Sequence, residues 1–118
     1  MISRLNRFHG HGSLRYVYQH GHVVRGPLCS LKYVQNDKRK NYRLAVVVSK
    51  KVHKSAVRRN RIRRRLYEAF RLQAAAIPPY DMVLTVFHEQ IADIPSEELT
   101  LMVRAQLKQA GITKLIKK

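Results

Sequence analysis

The residues with the clearest chemistry lie between Lys50 and Arg65, where nine of the sixteen positions are Lys or Arg. A guanidinium group is a planar fork that binds two phosphate oxygens at once and stacks on nucleobases. Solvated helix faces usually alternate in charge, yet Glu68 is the only acidic residue between Asp37 and Asp81. Because crowded like charges destabilise a helix, this segment predicts a polyanionic partner rather than an ordinary solvated surface.

The distribution of charge along the chain supports that prediction. The formal net charge of the 118 residues is +17. Residues 1–71 contain 19 Lys and Arg but two acidic residues, whereas residues 72–118 contain five of each sign. The whole excess lies in the first part, and the release of condensed counterions favours its binding to RNA or DNA. An anionic membrane is disfavoured, because no apolar run approaches the roughly 18–20 residues of a spanning helix.

A helix predicted from Ser55 to residue 75 or 76 would position these arginines. Ser55 is suited to cap its first turn, and Pro78-Pro79 would end it. At about 100° per residue, its apolar arc is formed by Ile62, Leu66, Ala69 and Phe70. The opposite face holds Asn60, Arg61, Arg64 and Arg71, with Arg63 and Arg65 at the flanks. Asn60 offers a donor and an acceptor to a ribose or a base edge, or is simply a tolerated exposed residue.

Two further helices are predicted at the ends of the domain. The first runs from Ser13, as its cap, to His20, and is stopped by Gly21. The last begins at Ser96, again as a cap, with two carboxylates in its first turn, and ends at Gly111.

Strands are predicted at residues 26–34, 44–48 and 82–87, and the first two are expected to form a hairpin across the polar residues 36–41. The order α-β-β-α-β-α predicts a single α+β domain, a sandwich in which helices pack on one central sheet. Residues 1–12 are predicted to be a flexible basic arm, residues 13–111 the RNA-binding domain, and residues 112–118 a basic C-terminal tail.

Other chemistries are less well supported by the sequence. His9, His11, His20 and His22 have no cysteine beside them and no acidic residue before Asp37, so no metal site is predicted. No paired carboxylates, nucleophile motif or phosphate-binding glycine loop is present, so we predict no catalytic residue. The single Cys29 cannot form an internal disulfide, which fits a reducing cytoplasmic setting.

The segment from Ser49 to Arg71, SKKVHKSAVRRNRIRRRLYEAFR, resembles the signature of the bacterial ribonuclease P protein subunit. The matching features are Ser49-Lys50-Lys51 after an apolar strand, then Arg59-Asn60-Arg61 with Arg63-Arg64, then Glu68 and Phe70. The first helix with His20-Gly21, the strand from Asp81 and the helix from Ser96 follow in the same order and spacing. The resemblance covers about residues 4–111.

This resemblance implies an α/β sandwich with an unusual left-handed βαβ crossover. It implies two RNA partners, the catalytic ribonuclease P RNA and the 5′ leader of precursor tRNA, in an endonuclease that matures the 5′ end of tRNA. The chemistry would be carried by RNA and by magnesium that the RNA holds, so the protein itself binds no cofactor.

The resemblance also implies sites. It places Lys50, Lys51, Arg59, Asn60, Arg61, Arg63 and Arg64 against the catalytic RNA, and we add Lys54, Arg58 and Arg71 from the basic segment and its helical phase. A leader cleft between the sheet and the first helix would include Leu14, Tyr16, Tyr18 and Tyr33.

The chain departs from the family pattern at a few of these positions. Leu14 stands where an aromatic residue is common, which would weaken stacking on the leader or shift it to Tyr16. Tyr67 replaces a basic residue, Arg65 an apolar one, and His53 a loop glycine.

Two other functions remain open at this point. A structural RNA-binding protein of ribosomal type would share the charge and the layout but would not need the leader cleft. A DNA-binding protein would more often carry a mixed, base-reading helix than a continuous arginine face.

Overall fold

The structure is a computed structural model that describes residues 11–36, 41–73 and 77–112. Its elements are, in chain order, α1 (His11–His20), β1 (His22–Arg25), β2 (Cys29–Gln35), β3 (Arg43–Val47), α2 (Ala56–Arg71), β4 (Tyr80–Val86), a 3₁₀ helix (Glu89–Ala92) and α3 (Ser96–Ala110). They confirm the predicted α+β domain with one sheet and helices packed on it. The sequence did not predict β1 and the 3₁₀ helix, which have only four residues each.

The four strands form one sheet in the order β1-β2-β4-β3. β2 pairs with β1 and with β4 in antiparallel fashion, while β3 pairs with β4 in parallel. The predicted hairpin of β2 with β3 is therefore wrong, because β4 lies between them. β4 is an inner strand of the sheet, and Met82, Val83 and Leu84 are all fully buried because both of its faces are covered. β3, α2 and β4 form the parallel βαβ unit to which the predicted left-handed crossover refers.

The helices cover the two faces of this sheet. Leu31 of β2 and Leu84 of β4 are register partners and belong to the core that α2 and α3 cover. The next residues, Lys32 and Val83, are partners too and point to the opposite face, since side chains alternate along a strand. α1 lies on that second face, where the Lys32 ammonium group donates a hydrogen bond to the backbone oxygen of Tyr18.

One end of the sheet is fixed by a buried ion pair. Arg43 of β3 donates from Nε to Oδ1 of Asp81 at 2.9 Å and from Nη2 to Oδ2 at 2.8 Å. Asn36, just after β2, donates to the same carboxylate at 2.8 Å. Three segments of the sheet therefore share one buried anion that is satisfied by hydrogen bonds, as a buried charge requires.

The helix ends follow the predictions in part. The Ser55 hydroxyl caps α2 by accepting from the Arg58 N–H at 3.3 Å. α2 ends at Arg71, before the predicted residue 75, where the α-helical pattern stops: the Gln73 N–H donates to the Phe70 oxygen, three residues back, at 3.0 Å. Gly111 ends α3 as predicted, in the left-handed conformation with φ of 74°.

Two predicted caps are wrong. α1 begins at His11, so Ser13 lies within the helix. Pro95 occupies the cap position of α3 and Ser96 is its first helical residue. Helices often start a residue or two from where a capping pattern places them, because neighbouring packing also decides where the chain turns.

The predicted arm lies outside the described residues except for His11 and Gly12, which open α1. The predicted tail lies outside them except for Ile112, which is buried in the core. The polar turn predicted at 36–41 is described only at its two ends. Among the described residues, no helix combines the length and the apolar character that crossing a membrane would require.

Candidate nucleic-acid interface

α2 packs as its sequence pattern predicts. Its buried residues are Ile62, Leu66, Ala69 and Phe70. The side chains on the opposite face, Asn60, Arg61, Arg64 and Arg71, are exposed, while Arg63 and Arg65 are partly buried. The helix therefore joins the core on one side and carries its polar side chains on the other.

Three of the arginines, Arg58, Arg61 and Arg65, face the segment from residue 89 to residue 94, and we call them the docked stripe. The Arg58 guanidinium donates to Oδ2 of Asp93 at 2.5 Å and to Oε1 of Glu89 at 3.3 Å. The hydrogen bond from Arg58 holds the pKa of Asp93 below its usual range. Arg58, predicted to bind RNA, is thus held by two carboxylates of its own chain.

The other two members of the docked stripe bind backbone oxygens of the same segment. Arg61 donates from Nε to the Ala92 oxygen at 2.8 Å. Arg65 donates to the Ile91 oxygen at 2.6 Å and to the Ile94 oxygen. Burial lowers the pKa of Arg65, and repulsion from Arg61 adds to the effect. Carbonyl groups at the end of a helix have no partner within it, so these arginines complete the 3₁₀ helix and the residues after it.

Four other polar side chains of α2, Asn60, Arg63, Arg64 and Arg71, form what we call the outward stripe. Within it, the Arg63 guanidinium donates to the side-chain oxygen of Asn60. Arg71 donates to both oxygens of Glu68, from Nε at 2.9 Å and from Nη2 at 2.5 Å. These hydrogen bonds lower the pKa of Glu68 to about 2. Within the described part of the chain, Arg64 makes no hydrogen bond or ion pair, so its guanidinium is available to a partner molecule.

The loop from residue 48 to residue 55, which we call the lysine loop, joins β3 to α2. Its lysines, Lys50, Lys51 and Lys54, are exposed. Arg59 holds the loop by donating to the backbone oxygens of His53 at 3.2 Å and Lys54 at 3.3 Å. Arg59 therefore orders the loop while the lysines remain accessible.

His53 links the lysine loop to its surroundings. Its Nδ1 accepts a hydrogen bond from the Ser55 N–H at 3.0 Å, and its Nε2 lies 3.5 Å from Oε1 of Glu89. A glycine at this position would make neither contact.

Of the four residues predicted for the leader cleft, three lie on α1 and Tyr33 lies on β2. Tyr16 and Tyr18 are exposed on α1, at 53% and 46% of their surface, and Leu14 is half-buried. The rings of Tyr16 and His20 lie 4.5 Å apart between centroids. The Lys32 ammonium group lies 5.6 Å from the centroid of the Tyr18 ring. An aromatic surface and a cation thus stand side by side on this face.

Tyr33 does not join this group. It is the register partner of Met82, which belongs to the core on the other face of the sheet. Its ring contacts His22 at 5.8 Å and Tyr80 at 6.1 Å. The sheet therefore separates Tyr33 from Tyr18, and Lys32 stands on the α1 face instead. Sequence reasoning missed Lys32, although alternation along β2 would have placed it opposite the apolar Leu31 and Tyr33.

Gly21 lets α1 approach the sheet closely. A Cβ atom there would lie 2.5 Å from the Val17 oxygen and 3.1 Å from the Tyr33 oxygen. A side chain at this position would clash with these oxygens and push α1 away from β2.

Potential metal ligands are scattered in the described ranges, where no three His, Cys, Asp or Glu side chains lie close enough together to hold a metal ion. His9 lies outside those ranges, so the prediction for the N-terminal histidines remains a prediction.

Comparison with known proteins gives a consistent family match. The family model described as Ribonuclease P matches residues 2–111. The ribonuclease P protein component of Chloroflexus aurantiacus is 38% identical over 97 residues, which cover 81% of this chain and 70% of that protein. The one from Synechococcus sp. (strain RCC307) is 30% identical, with 96% and 98% covered.

Solved structures show the same fold. The RNase P protein of Staphylococcus aureus superposes with a TM-score of 0.81 at 24% identity, covering 92% of this chain and 98% of that one. The RNase P protein of Thermotoga maritima gives 0.71 at 23% identity, covering 81% and 89%.

Proposed function

The chain belongs to the ribonuclease P protein family and is a protein component of that tRNA-processing endoribonuclease, and we propose that it binds the ribonuclease P RNA through α2. The binding surface consists of the outward stripe and the lysine loop. The observation that carries this proposal is the division of the arginines on α2. The arginines of the docked stripe donate hydrogen bonds to carboxylates and carbonyls of the protein itself. Arg64 and the three lysines are exposed and have no such partners among the described residues.

The chemistry of the surface suits an RNA backbone. Arg64 and Arg63 are one residue apart, and Asn60 lies one turn earlier, where its amide can reach a ribose hydroxyl or a base edge. The lysines act as mobile point charges for further phosphates. Arg58, Arg59 and Arg61 stabilise this surface through their hydrogen bonds within the protein. Arg61 is also exposed, and its terminal nitrogen atoms can bind RNA.

The α1 face of the sheet is the second RNA site in this proposal. Tyr16 and Tyr18 offer rings on which bases of a single strand can stack, and Lys32 offers a charge for the phosphate between them. The occupant would be the 5′ leader of precursor tRNA. Tyr33, on the other face, takes no part in it.

The protein would assist the reaction rather than carry it out. Cleavage would be performed by the RNA with magnesium ions that the RNA holds. The chain supplies positive charge where two polyanions, the catalytic RNA and the precursor tRNA, approach each other. His53, the histidine nearest to this surface, uses both ring nitrogens within the protein, which leaves it poorly placed for proton transfer.

The setting proposed for this particle is the cytoplasm. Cys29 is the only cysteine, and burial raises the pKa of its thiol to about 11. A buried, protonated thiol without a second cysteine suits a reducing compartment.

Reconstitution tests the proposal. The protein is added to ribonuclease P RNA and precursor tRNA at low magnesium, and cleavage is measured with and without it. We expect strong stimulation by the wild type and little by the double variant Arg63→Ala/Arg64→Ala. A matched control removes two exposed charges from α3, Arg104→Ala/Lys108→Ala, and should stimulate like the wild type. RNA binding without any stimulation would instead favour a structural RNA-binding protein.

A further inference from the structure

A groove runs between α2 and α3 beside the outward stripe. It comprises two adjoining depressions of about 430 and 460 Å³, which share Leu72, Ser96 and Thr100. The first depression is also lined by Arg64, Arg65, Glu68, Ala69 and Leu99, and the second by Glu97 and Leu101. The α2–α3 groove is thus an open site of the size that holds a small planar molecule.

The walls of the α2–α3 groove are apolar and unusually exposed. Leu72 shows 59% of its surface and Leu101 shows 58%. By contrast, the core leucines of α2 and α3, which are Leu66, Leu99 and Leu107, expose 2% of their surface or less. Two exposed leucines on opposite walls of one groove are a candidate binding surface rather than the scattered apolar residues that any protein shows.

The polar groups of the groove stand at its rim. Arg64 lies on the α2 wall and belongs also to the outward stripe, so the groove continues the proposed RNA surface without a break. Ser96 and Thr100 line the α3 wall, and Glu68 lines the α2 wall together with Arg64. A guanidinium group beside an apolar slot is an arrangement that can hold a phosphate and its base together.

The charges argue against a protein occupant. A second copy of this chain would bring another +17 to a surface that already carries Arg64 and Arg65. An acidic partner would meet the Glu68 and Glu97 carboxylates at the rim of the groove. A nucleotide avoids both conflicts, since its phosphate stays at the arginine while its base presents N–H groups to the carboxylates.

We propose that the α2–α3 groove binds one unstacked nucleotide of the RNA partner, with its base between Leu72 and Leu101 and its phosphate on Arg64. This inference rests on the proposed function, because it assumes that RNA lies along the outward stripe. It adds a base-binding site to a surface that otherwise contacts backbone.

Affinity measurements over a range of salt concentrations test the inference. The double variant Leu72→Ser/Leu101→Ser removes the apolar walls at exposed positions, and we expect its affinity for ribonuclease P RNA to fall by about tenfold. The salt dependence should stay the same, because no phosphate contact is lost. The matched control is Val57→Ser, an apolar residue that is 76% exposed at the other end of α2, and it should bind like the wild type.

The outcomes separate the two proposals. Absence of binding by the wild type would refute the proposed function itself. Equal binding by the wild type and the double variant would refute only the proposed nucleotide site in the α2–α3 groove. A double variant that binds RNA normally but changes the sedimentation of the free protein would show a protein interface instead.

A crosslink from the wall of the groove gives a second measurement. A photoreactive phenylalanine analogue at Leu101 should crosslink to an unpaired nucleotide of ribonuclease P RNA, and the same group at Val57 should not give that crosslink. A crosslink from residue 101 to base-paired RNA, or to no RNA at all, would overturn the inference.

Discussion

The docked and outward stripes of α2 both carry arginines of the same helix, yet these arginines have different surroundings. Arg58, Arg61 and Arg65 bind the segment from residue 89 to residue 94. The outward stripe contacts only its own neighbours, with Asn60 and Arg63 joined and Arg64 free of partners among the described residues. The number of arginines on α2 is therefore larger than the number whose guanidinium groups are available to RNA.

The difference has a physical origin in what each stripe faces. The segment at 89–94 presents two carboxylates and three backbone oxygens, which are strong acceptors for guanidinium groups. Among the described residues, no hydrogen bond or ion pair joins Arg64 to such an acceptor. An arginine can join parts of a protein because its guanidinium group donates to several acceptors at once. The same group can bind RNA where the protein supplies no acceptor.

The largest effect is expected from substitutions in the outward stripe. Replacing Arg63 and Arg64 together by alanine should weaken binding of ribonuclease P RNA roughly 100-fold, because two charge-assisted contacts are lost. The slope of log affinity against log salt should fall by about 1.5. Filter binding at several salt concentrations measures both. The free energy of unfolding should change by no more than about 0.5 kcal/mol, and a larger loss would contradict the outward assignment.

The second prediction concerns a substitution in the docked stripe. Arg65→Leu removes the donors to the Ile91 and Ile94 oxygens and should lower the free energy of unfolding by about 2 kcal/mol. Urea denaturation measures this, with Arg64→Ala as the control that should leave stability near the wild type. If Arg65→Leu were as stable as Arg64→Ala, the distinction between the two stripes would not hold.

A third prediction concerns Tyr67, which lies near the outward stripe but contacts the sheet. Its hydroxyl accepts a hydrogen bond from the Val46 N–H of β3 at 3.2 Å. Since β3 is an edge strand, Tyr67→Phe should leave that donor unpaired and lower the free energy of unfolding by about 1 kcal/mol. RNA affinity should remain at the wild-type level. A loss of affinity with unchanged stability would place Tyr67 in the RNA surface instead.

The smallest expected effect is that of Asp93→Asn, which removes one carboxylate from the docked stripe. At neutral pH the unfolding midpoint should fall slightly, because the ion pair with Arg58 is exposed and therefore weak. The pKa of Asp93 is lowered by Arg58 in the folded protein, so its stabilising contribution is present above the ordinary aspartate pKa of about 4 and is lost below it. Melting curves of wild type and variant should therefore converge as the pH falls below about 4. A difference that persists in acid would mean that the side chain acts through packing rather than charge.

Much of the candidate site followed from local sequence. The phase of α2 was predictable because Ile62, Leu66 and Phe70 recur at helical spacing, and burial of an apolar arc leaves its opposite face exposed. The Ser55 cap and the Gly111 end were predictable for the same reason, since each depends on a few adjacent residues. The excess positive charge and the likeness to the ribonuclease P protein family were likewise present in the linear chain.

Tertiary structure decided what depends on residues far apart in sequence. The place of β4 between β2 and β3 excluded the expected hairpin, because β2 and β3 each pair with β4 rather than with each other. The carboxylates that hold Arg58 lie 31 and 35 residues away, and no local pattern marks them as its partners. The sheet likewise separated Tyr33 from Tyr18 and brought Lys32 beside the Tyr18 ring. The sequence by itself determined that arginines would line α2 and which side would be buried. Only the packing of the 89–94 segment against the helix determined which of them remain for RNA, because a guanidinium group binds whatever acceptor the fold brings within reach.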